Sequence, residues 1–248
     1  MSYSISQAVR DLAEPKLAEF TAKLLPTVDP ARILGVRTPA LRKLSKKLLR
    51  EHPQETAEFL AAVPHDFQEE DLLHVLLLNE ERNFATWHAA ITSFLPYMTN
   101  WTLTDAVSPA CAKGRNAANL PQLVRACLNW MLDDRVYVQR LGVVVLMSLL
   151  GTEYFSPEHL QAVAALAGSE EYYVRVAVAW YFAEALARQE HVALPWFALA
   201  DSSGSTDSPG LPAVTLRMAI TKAIESRRIS DDLKAELRQI RSTLPRRS

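Results

Sequence analysis

The sequence predicts an all-α protein built as a solenoid of helical hairpins. Apolar residues recur at spacings of three and four along nearly the whole chain, and no segment alternates apolar and polar residues as a strand would. A helical pattern also repeats along the chain. With 248 residues and 49% hydrophobic content, the chain can bury a substantial core. We therefore expect a single domain, 1–248, of about a dozen helices joined by short loops.

Helix starts are marked by a capping residue or a proline directly before an amphipathic run. Four such starts are Thr38-Pro39, His52-Pro53, Ser156-Pro157 and Ser230-Asp231. By contrast, the segment DSSGSTDSPG at 201–210 is rich in Ser, Asp, Gly and Pro. This composition predicts a mobile surface loop, an inserted segment rather than a site.

The repeated pattern covers DDRVYVQRLGVVVLMSLL at 133–150 and SEEYYVRVAVAWYFAEAL at 169–186. Each begins with acidic residues and continues with a Tyr-Val pair, an arginine and an apolar helix. Tyr137 and Tyr173 lie 36 residues apart, the period of a HEAT or armadillo hairpin. The sequence therefore predicts an α-solenoid, with the helix after Arg140 as an inner helix.

Arg140 and Arg175 occupy nearly the same place in the two repeats. An arginine in the first turn of an inner helix can emerge from the core onto the concave surface, because its long stem reaches past apolar neighbours. The alternative is that each arginine pairs with a nearby acid.

The charges are distributed unevenly although the formal net charge is only -1. Residues 51–81 hold nine acidic residues and neither Lys nor Arg, whereas the segment 227–247 is basic. In 38–50 the predicted buried stripe is Leu41, Leu44, Leu48 and Leu49. The cations expected on the opposite side of this helix are Arg42, Lys43, Lys46, Lys47 and Arg50.

Such a cationic ridge is what phosphate neutralisation requires, and a merely solvated basic face is the alternative. Arg37 leads into the ridge within GVRT. A glycine turn before a helix start can also offer backbone N–H groups to a phosphate.

Trp101 and Asp105 stand four residues apart and therefore share one helical face. The alternatives are ordinary packing for Trp101 and a first-turn acid stabilised by the helix dipole for Asp105. Trp180 and the Tyr172-Tyr173 pair add aromatic side chains to another inner helix. A surface carrying these residue types together suits a planar, cationic group.

Several classes of protein are disfavoured by what the sequence lacks. The two cysteines have no CxxC spacing, and the six histidines have no metal-ligand spacing. The N-terminal segment has no apolar signal core, and no run is long enough to cross a bilayer. We expect a cytoplasmic protein with no disulfide framework, no metal and no membrane partner.

Five motifs in order, GVRTPALRKLSKKL, EEDLLHVLLL, NWTLTDAVSPACAK, YVQRLGVVVLMSLL and YYVRVAVAW, resemble the DNA alkylation repair family, the AlkD-like HEAT-repeat DNA glycosylases. The resemblance runs over roughly 30–240. It implies a C-shaped solenoid whose concave, basic face binds duplex DNA as a monomer. It also implies removal of N3- or N7-alkylated purines by hydrolysis of the N-glycosidic bond, without any cofactor.

In active members of the family, a Trp-Asp-Trp cluster lies against the DNA backbone at the lesion, and the damaged nucleotide is not inserted into a deep base pocket. Position by position, the resemblance places these catalytic residues on Trp101, Asp105 and Trp180, and a phosphate-binding arginine on Arg140. The full set of expected DNA contacts is Arg37, Arg42, Lys43, Lys46, Lys47, Arg140, Tyr173 and Arg175.

The sequence departs from the glycosylases one turn after the second tryptophan. A further arginine is expected there, but Trp180 is followed by Tyr181, Phe182, Ala183 and Glu184. Together with the C-terminal tail, YYVRVAVAW resembles a branch that binds DNA without cleaving it. Two alternatives to a glycosylase therefore stay open, a catalytically silent DNA-structure binder and a helical scaffold for proteins.

Overall fold

The protein is described by a computed structural model over residues 3–200 and 209–245, and these residues are overwhelmingly helical. Within them, pairing of the β type is limited to one bridge between Leu199 and Leu211. The α-helices are α1 (Ile5–Arg10), α2 (Pro15–Leu24), α3 (Thr38–Glu51), α4 (Pro53–Ala61), α5 (Gln68–Leu78), α6 (Phe84–Phe94), α7 (Trp101–Ala106), α8 (Leu120–Met131), α9 (Val136–Met147), α10 (Pro157–Ala164), α11 (Tyr172–Arg188), α12 (Glu190–Ala193), α13 (Ala213–Glu225) and α14 (Asp231–Thr243). The predicted all-α class is confirmed. Most of the loop predicted at 201–210 lies outside the described residues.

The chain divides into two compact units, residues 1–120 and 121–248. In the first unit, α3 packs against α4 and α5, and α5 packs against α6 and α7. In the second unit, α11 packs against α9, α10 and α13, and α13 packs against α14. Contacts between every second helix are typical of stacked helical hairpins. The HEAT-type repeat, the C shape and the single domain stay predictions.

All four predicted helix starts are confirmed. Proline occupies the first turn of α3, α4 and α10, where its missing N–H costs no hydrogen bond. Ser156 occupies the N-cap position of α10, and the Ser230 hydroxyl accepts a hydrogen bond from the Leu233 N–H at the start of α14.

The buried stripe of α3 differs from the predicted one at a single position. Leu41, Leu44 and Leu48 are buried as predicted, but Leu49 is 41% exposed and Ser45 is buried instead. Successive helical residues are rotated by about 100°, so Leu49 is turned away from the face that Leu48 shares with Leu41. The Ser45 hydroxyl tolerates burial because it donates to the Arg42 carbonyl oxygen, 3.0 Å away.

The prediction that the helix after Arg140 is an inner helix is confirmed by α9. Its residues from Arg140 to Leu146 are all buried. Gly142 allows α8 to approach closely, because a Cβ atom there would lie 2.6 Å from the Cys127 carbonyl oxygen.

The acidic segment 51–81 does not form a continuous solvated face, because the polar first turn of α5 is buried. Glu70 accepts hydrogen bonds from the backbone N–H groups of Asp66 and Phe67, both at 3.1 Å, and from the Ser6 hydroxyl. Asp71 accepts from Arg32 Nη2 at 3.0 Å. Burial raises the pKa of Asp71 to about 7, although the Arg32 charge opposes the rise.

A buried histidine pair joins the 65–67 segment to the middle of α5. His65 Nε2 and His74 Nδ1 lie 2.9 Å apart, and Phe59 and Phe94 stack on the two rings. Burial lowers the pKa of both imidazoles, that of His74 to about 3. Both rings are therefore neutral near pH 7, and protonation of His74 opposes folding.

We predict that His74→Phe reduces the acid sensitivity of the fold. The folded-state pKa of His74 lies below its ordinary 6.5, so the stabilisation is complete above that pH and is lost as the pH falls towards 3. Urea unfolding at pH 7 and pH 4 should show that the wild type loses about 3 kcal/mol more than the variant does.

The exposed His191 provides the matched control, since His191→Phe should follow the wild-type profile. The raised pKa of Asp71 makes stability change with pH in the opposite direction. Asp71 is present in every variant, so this contribution cancels when the wild type and a variant are compared. If the free energy of unfolding depends on pH equally in the wild type and in His74→Phe, the cost of protonating the buried His74 is contradicted.

Candidate functional site

A buried amide pair positions the start of α7. Asn100 Nδ2 donates to Gln68 Oε1, and Gln68 Nε2 donates to Thr102 Oγ1, both at 2.8 Å. Asn100 also caps α7, because its side-chain oxygen accepts from the Thr102 N–H at 3.1 Å. Asn100 and Thr102 flank Trp101, so this network fixes the backbone that carries the predicted catalytic tryptophan.

The next residue of α5, Glu69, holds the loop that leads into α3. Its buried carboxylate accepts from the N–H groups of Leu34, Gly35 and Val36, at 2.9, 2.7 and 3.3 Å. Three backbone donors compensate the cost of burying a carboxylate. The loop ends at Arg37, so one helical turn of α5 supports both Trp101 and Arg37.

Trp101 is half-buried and contacts the chain at the end of α2. Its Nε1–H donates to the Leu24 carbonyl oxygen at 3.2 Å, and its ring packs against Leu25, Val28 and Ile33. Ordinary packing therefore accounts for the buried part of the indole ring. The rest of the side chain lines a surface pocket.

This pocket, which we call the Trp101 pocket, has a volume of about 360 Å³ and lies between α2, α3, α5 and α7. Its apolar lining comes chiefly from leucines on α2 and α5 and from Trp101. Its polar lining comes from Thr21, from Arg37 and from the first turns of α3, α5 and α7. The residues are Leu17, Thr21, Leu24, Leu25, Val36, Arg37, Thr38, Pro39, Gln68, Glu69, Leu72, Trp101 and Thr102.

Asp105 lies on the same face of α7 as Trp101, as predicted. The Thr104 hydroxyl oxygen is 3.0 Å from both the Trp101 carbonyl oxygen and Asp105 Oδ1. The helix-dipole alternative for Asp105 is wrong, because α7 begins at Trp101 and its first turn contains no acid. Near the C-terminal end of a helix the dipole disfavours a carboxylate, so it does not account for Asp105.

Arg37 is exposed at the rim of the Trp101 pocket and is paired with Glu14. The two hydrogen bonds, from Nε and Nη2, are 2.8 and 2.9 Å long. This pairing raises the pKa of Arg37. Arg37, one of the predicted DNA contacts, is thus paired with a carboxylate that a phosphate would have to displace.

The cationic face predicted for α3 is confirmed, since Arg42, Lys43, Lys46, Lys47 and Arg50 are all exposed. All but Arg42 line a second hollow of about 600 Å³ between α1 and α3.

One neighbour of this face was not anticipated from the sequence. Tyr3 lines the same hollow, with Lys47 Nζ 5.4 Å from the centroid of its ring. This contact is distant in sequence, so spacing within a single helix carries no signal for it.

In the second unit, α9 and α11 bring Arg140 and Tyr173 together. Arg140 Nη1 donates to the Tyr173 carbonyl oxygen at 2.9 Å, and the rings of Tyr137 and Tyr173 are 5.7 Å apart. Arg140 is only 4% exposed, so the expectation that it emerges onto the surface is wrong. One of its donors is met by a backbone acceptor from the neighbouring inner helix.

Arg175 also bonds a carbonyl oxygen. Its Nη1 donates to the Ser169 carbonyl oxygen at 2.5 Å, and no carboxylate within the described ranges pairs with it, so the alternative of an ion pair is not met there. Trp180 is half-buried on the same helix, two turns after Tyr173. One turn further, Glu184 pairs with Arg228 and, at 3.6 Å, with Arg188.

The structure thus gathers the predicted residues into one group in each unit. In the first, Arg37 and Trp101 line the Trp101 pocket, Asp105 follows on α7, and the cations lie along α3. In the second, Arg140 contacts Tyr173, while Arg175 and Trp180 follow on α11.

Neither a metal cluster nor a thiol nucleophile is present among residues 3–200 and 209–245. No group of three or more His, Cys, Asp or Glu side chains there could hold a metal ion. Burial raises the pKa of Cys111 to about 11 and raises that of Cys127 further, so both thiols stay protonated near neutral pH. No described helix is both long and apolar enough to span a bilayer.

The fold and these residues define an all-helical protein of packed helix pairs, with a cationic helix beside a tryptophan-lined pocket. A family model described as DNA alkylation repair enzyme matches residues 5–222. The chain therefore belongs to the DNA alkylation repair enzyme family, which indicates a role in DNA repair. A comparison with curated proteins finds no match.

We predict that Gly35→Ala disrupts the loop that carries Arg37. Gly35 has φ +76°, and a Cβ there would lie 2.3 Å from Ala18 N. Strain and overlap together should cost at least about 3 kcal/mol in urea unfolding. Gly114→Ala separates the two effects, because Gly114 has φ +53° but no atom within 4 Å of the added carbon. It should cost about 1 kcal/mol, and equal losses would contradict the close approach of α2.

Proposed function

We propose that this protein binds duplex DNA containing alkylated bases and hydrolyses the N-glycosidic bond of N3- and N7-alkylpurines. The observation that carries the proposal is that Trp101 and Asp105 share one face of α7 in a member of this repair family. The buried network of Gln68 and Asn100 supports it, because a preorganised site needs a fixed backbone.

The proposed reaction uses the charge already present on the substrate. Alkylation at N3 or N7 gives the purine a positive charge, so the base can depart without being protonated first. As the bond to the sugar breaks, positive charge develops on the deoxyribose. Asp105 stabilises that charge and orients a water molecule, whose oxygen bonds to the sugar carbon while its proton passes to the carboxylate.

Trp101 and Trp180 are proposed to contact the deoxyribose, where an aromatic face favours cationic character. The products are a neutral purine and an abasic site. No metal or organic cofactor is required for this sequence of steps.

The DNA backbone is proposed to contact the cations of α3, with Arg37, Tyr173 and Arg175 adding further contacts. Exposed Lys and Arg side chains are suited to this because they release counterions from the phosphates. Arg140 is proposed to support the contacts of Tyr173 with DNA by holding the Tyr173 backbone, since its Nη1 donates to that carbonyl oxygen.

A second candidate function is a silent DNA-structure binder. Glu184 favours this second function, because it lies one turn after Trp180, where the glycosylases are expected to carry an arginine. Glu184 also forms an ion pair with Arg228. Such a protein would use the same cationic surface without cleaving the glycosidic bond.

We predict that Asp105→Asn lowers the release of 7-methylguanine and 3-methyladenine from methylated duplex DNA by about 100-fold or more. The variant keeps the shape of the side chain and removes its charge, so DNA affinity should change little. Asp232→Asn is the matched control, because Asp232 is an exposed acid in the first turn of α14.

Release at the wild-type rate by Asp105→Asn would contradict the role of the carboxylate. Absence of release by the wild type, with DNA binding intact, would establish the silent binder instead.

We also predict that the double variant Lys43→Ala/Lys47→Ala weakens binding to any duplex and lowers the slope of log affinity against log salt by about 2. Fluorescence anisotropy at several salt concentrations measures both quantities. Lys16→Ala/Lys23→Ala provides the control, because these exposed lysines lie on α2. A wild type without salt-dependent DNA binding would point to a protein scaffold.

A further inference from the structure

We propose that Thr104 is a positioning residue for Asp105. Its hydroxyl donates a hydrogen bond to the carboxylate and so fixes the group that is proposed to act on the deoxyribose. The inference rests on the proposed function and adds a residue to the same site. Thr104 is buried, so in this proposal it contacts neither the sugar nor the base and acts only through Asp105.

The Thr104 side chain is fully enclosed by the protein. It is 0% exposed, like the neighbouring Leu103, although its hydroxyl is a polar group. Burying a hydroxyl is unfavourable unless it forms a hydrogen bond, and valine would fill nearly the same space without this cost. The Thr104 hydroxyl therefore needs an acceptor within reach.

Two acceptors lie at the same distance from this hydroxyl. Thr104 Oγ1 is 3.0 Å from the Trp101 carbonyl oxygen and 3.0 Å from Asp105 Oδ1. A hydroxyl has one proton, and a hydrogen bond to an ionised acceptor is roughly twice as strong as one to a neutral acceptor. We therefore assign the proton to the Asp105 carboxylate. The bond to the carbonyl oxygen, which is common for threonine inside a helix, is the alternative.

Asp105 needs such a donor because of its place in the helix. It is the last residue but one of α7, and the dipole near the C-terminal end of a helix disfavours a carboxylate. Its side chain is also partly exposed, so packing does not enclose it. A hydroxyl donor opposes the unfavourable dipole and restricts rotation of the carboxylate. Both effects favour the proposed chemistry, since a group that stabilises developing charge acts best when its position is fixed beforehand.

Thr104 also links the carboxylate to the backbone that carries Trp101. The hydroxyl oxygen is 3.0 Å from an oxygen atom of each of these two residues. The start of α7 is fixed in turn by the hydrogen bonds between Gln68 and Asn100. Through Thr104, this buried support extends from α5 to the Asp105 carboxylate.

Substitutions at position 104 separate the hydroxyl from the methyl group. Thr104→Val keeps the shape and removes the donor. We expect it to slow single-turnover release of 7-methylguanine from methylated duplex DNA on the order of tenfold, the factor that corresponds to one hydrogen bond to a charged group. Thr104→Ser keeps the donor and should release the base near the wild-type rate. DNA affinity should change in neither variant, because Thr104 is buried.

Thr56→Val is the matched control. Thr56 is also buried, and its hydroxyl donates to the His52 carbonyl oxygen at 2.7 Å. This substitution removes a buried hydroxyl from α4 instead of α7, so base release should not change. Circular dichroism checks that the variants fold. If Thr104→Val does not fold, Thr104→Ala removes the same hydroxyl without adding a group and should show the same slowing.

The Asp105→Asn background distinguishes positioning from a general effect on the fold. If Thr104 acts through the carboxylate, adding Thr104→Val to Asp105→Asn should slow release little further. Equal slowing by Thr104→Val in both backgrounds would overturn the proposal. Release at the wild-type rate by Thr104→Val, or slow release by Thr104→Ser, would overturn it as well.

NMR of the carboxyl carbon tests the hydrogen bond without relying on activity. In protein labelled at the aspartate side chains, the signal that disappears in Asp105→Asn belongs to Asp105. This signal should shift in Thr104→Val and stay in place in Thr104→Ser and Thr56→Val.

The two measurements separate failure of this inference from failure of the proposed function. If base release depends on Asp105 but is unchanged in Thr104→Val, with an unmoved carboxyl signal, the glycosylase stands and the role of Thr104 is wrong. If the wild type releases no base but the signal shifts in Thr104→Val, the hydrogen bond stands and the glycosylase is wrong.

Discussion

The first unit of this protein depends on the buried Glu69 carboxylate, which accepts hydrogen bonds from three backbone N–H groups. Burying a charge is costly unless hydrogen bonds compensate it, so the loop at 34–36 is held where its donors point at α5. The residues beside Glu69 act in the same way on other segments, Gln68 on the start of α7, Glu70 on Ser6 of α1, and Asp71 on Arg32. One buried helical turn therefore bonds α1, the loop that leads into α3 and the start of α7.

This arrangement makes stability and function depend on the same few residues. Arg37 follows the loop that Glu69 holds, and Trp101 follows the cap that Gln68 holds, so the two sides of the Trp101 pocket share one support. Electrostatic catalysis depends on groups that are fixed before the reaction begins, because reorganising them costs free energy. The proposed chemistry would benefit from such a rigid pocket beside a cationic helix.

The helical periods predicted the fold class, the helix starts and the exposed cations of α3, because these depend on spacing within one element. Partners from distant segments could not be predicted in this way. The acids at 69–71 are buried, which their spacing does not indicate, because Ser6, Arg32 and the 34–36 loop supply donors from elsewhere in the chain. Arg140 was expected at the surface for the same reason, since its acceptor, the Tyr173 carbonyl oxygen, belongs to the next inner helix. The position of Asp105 was open to better prediction, because Asn100 is a favourable cap that marks the start of α7 at Trp101.

The most direct test of this account is amide hydrogen exchange with and without a duplex that carries a stable abasic-site analogue. If the Trp101 pocket and its rim face the lesion, backbone amides at 34–37 and 101–105 should become protected together when the duplex binds. Protection confined to other segments, with these two unchanged, would contradict the account.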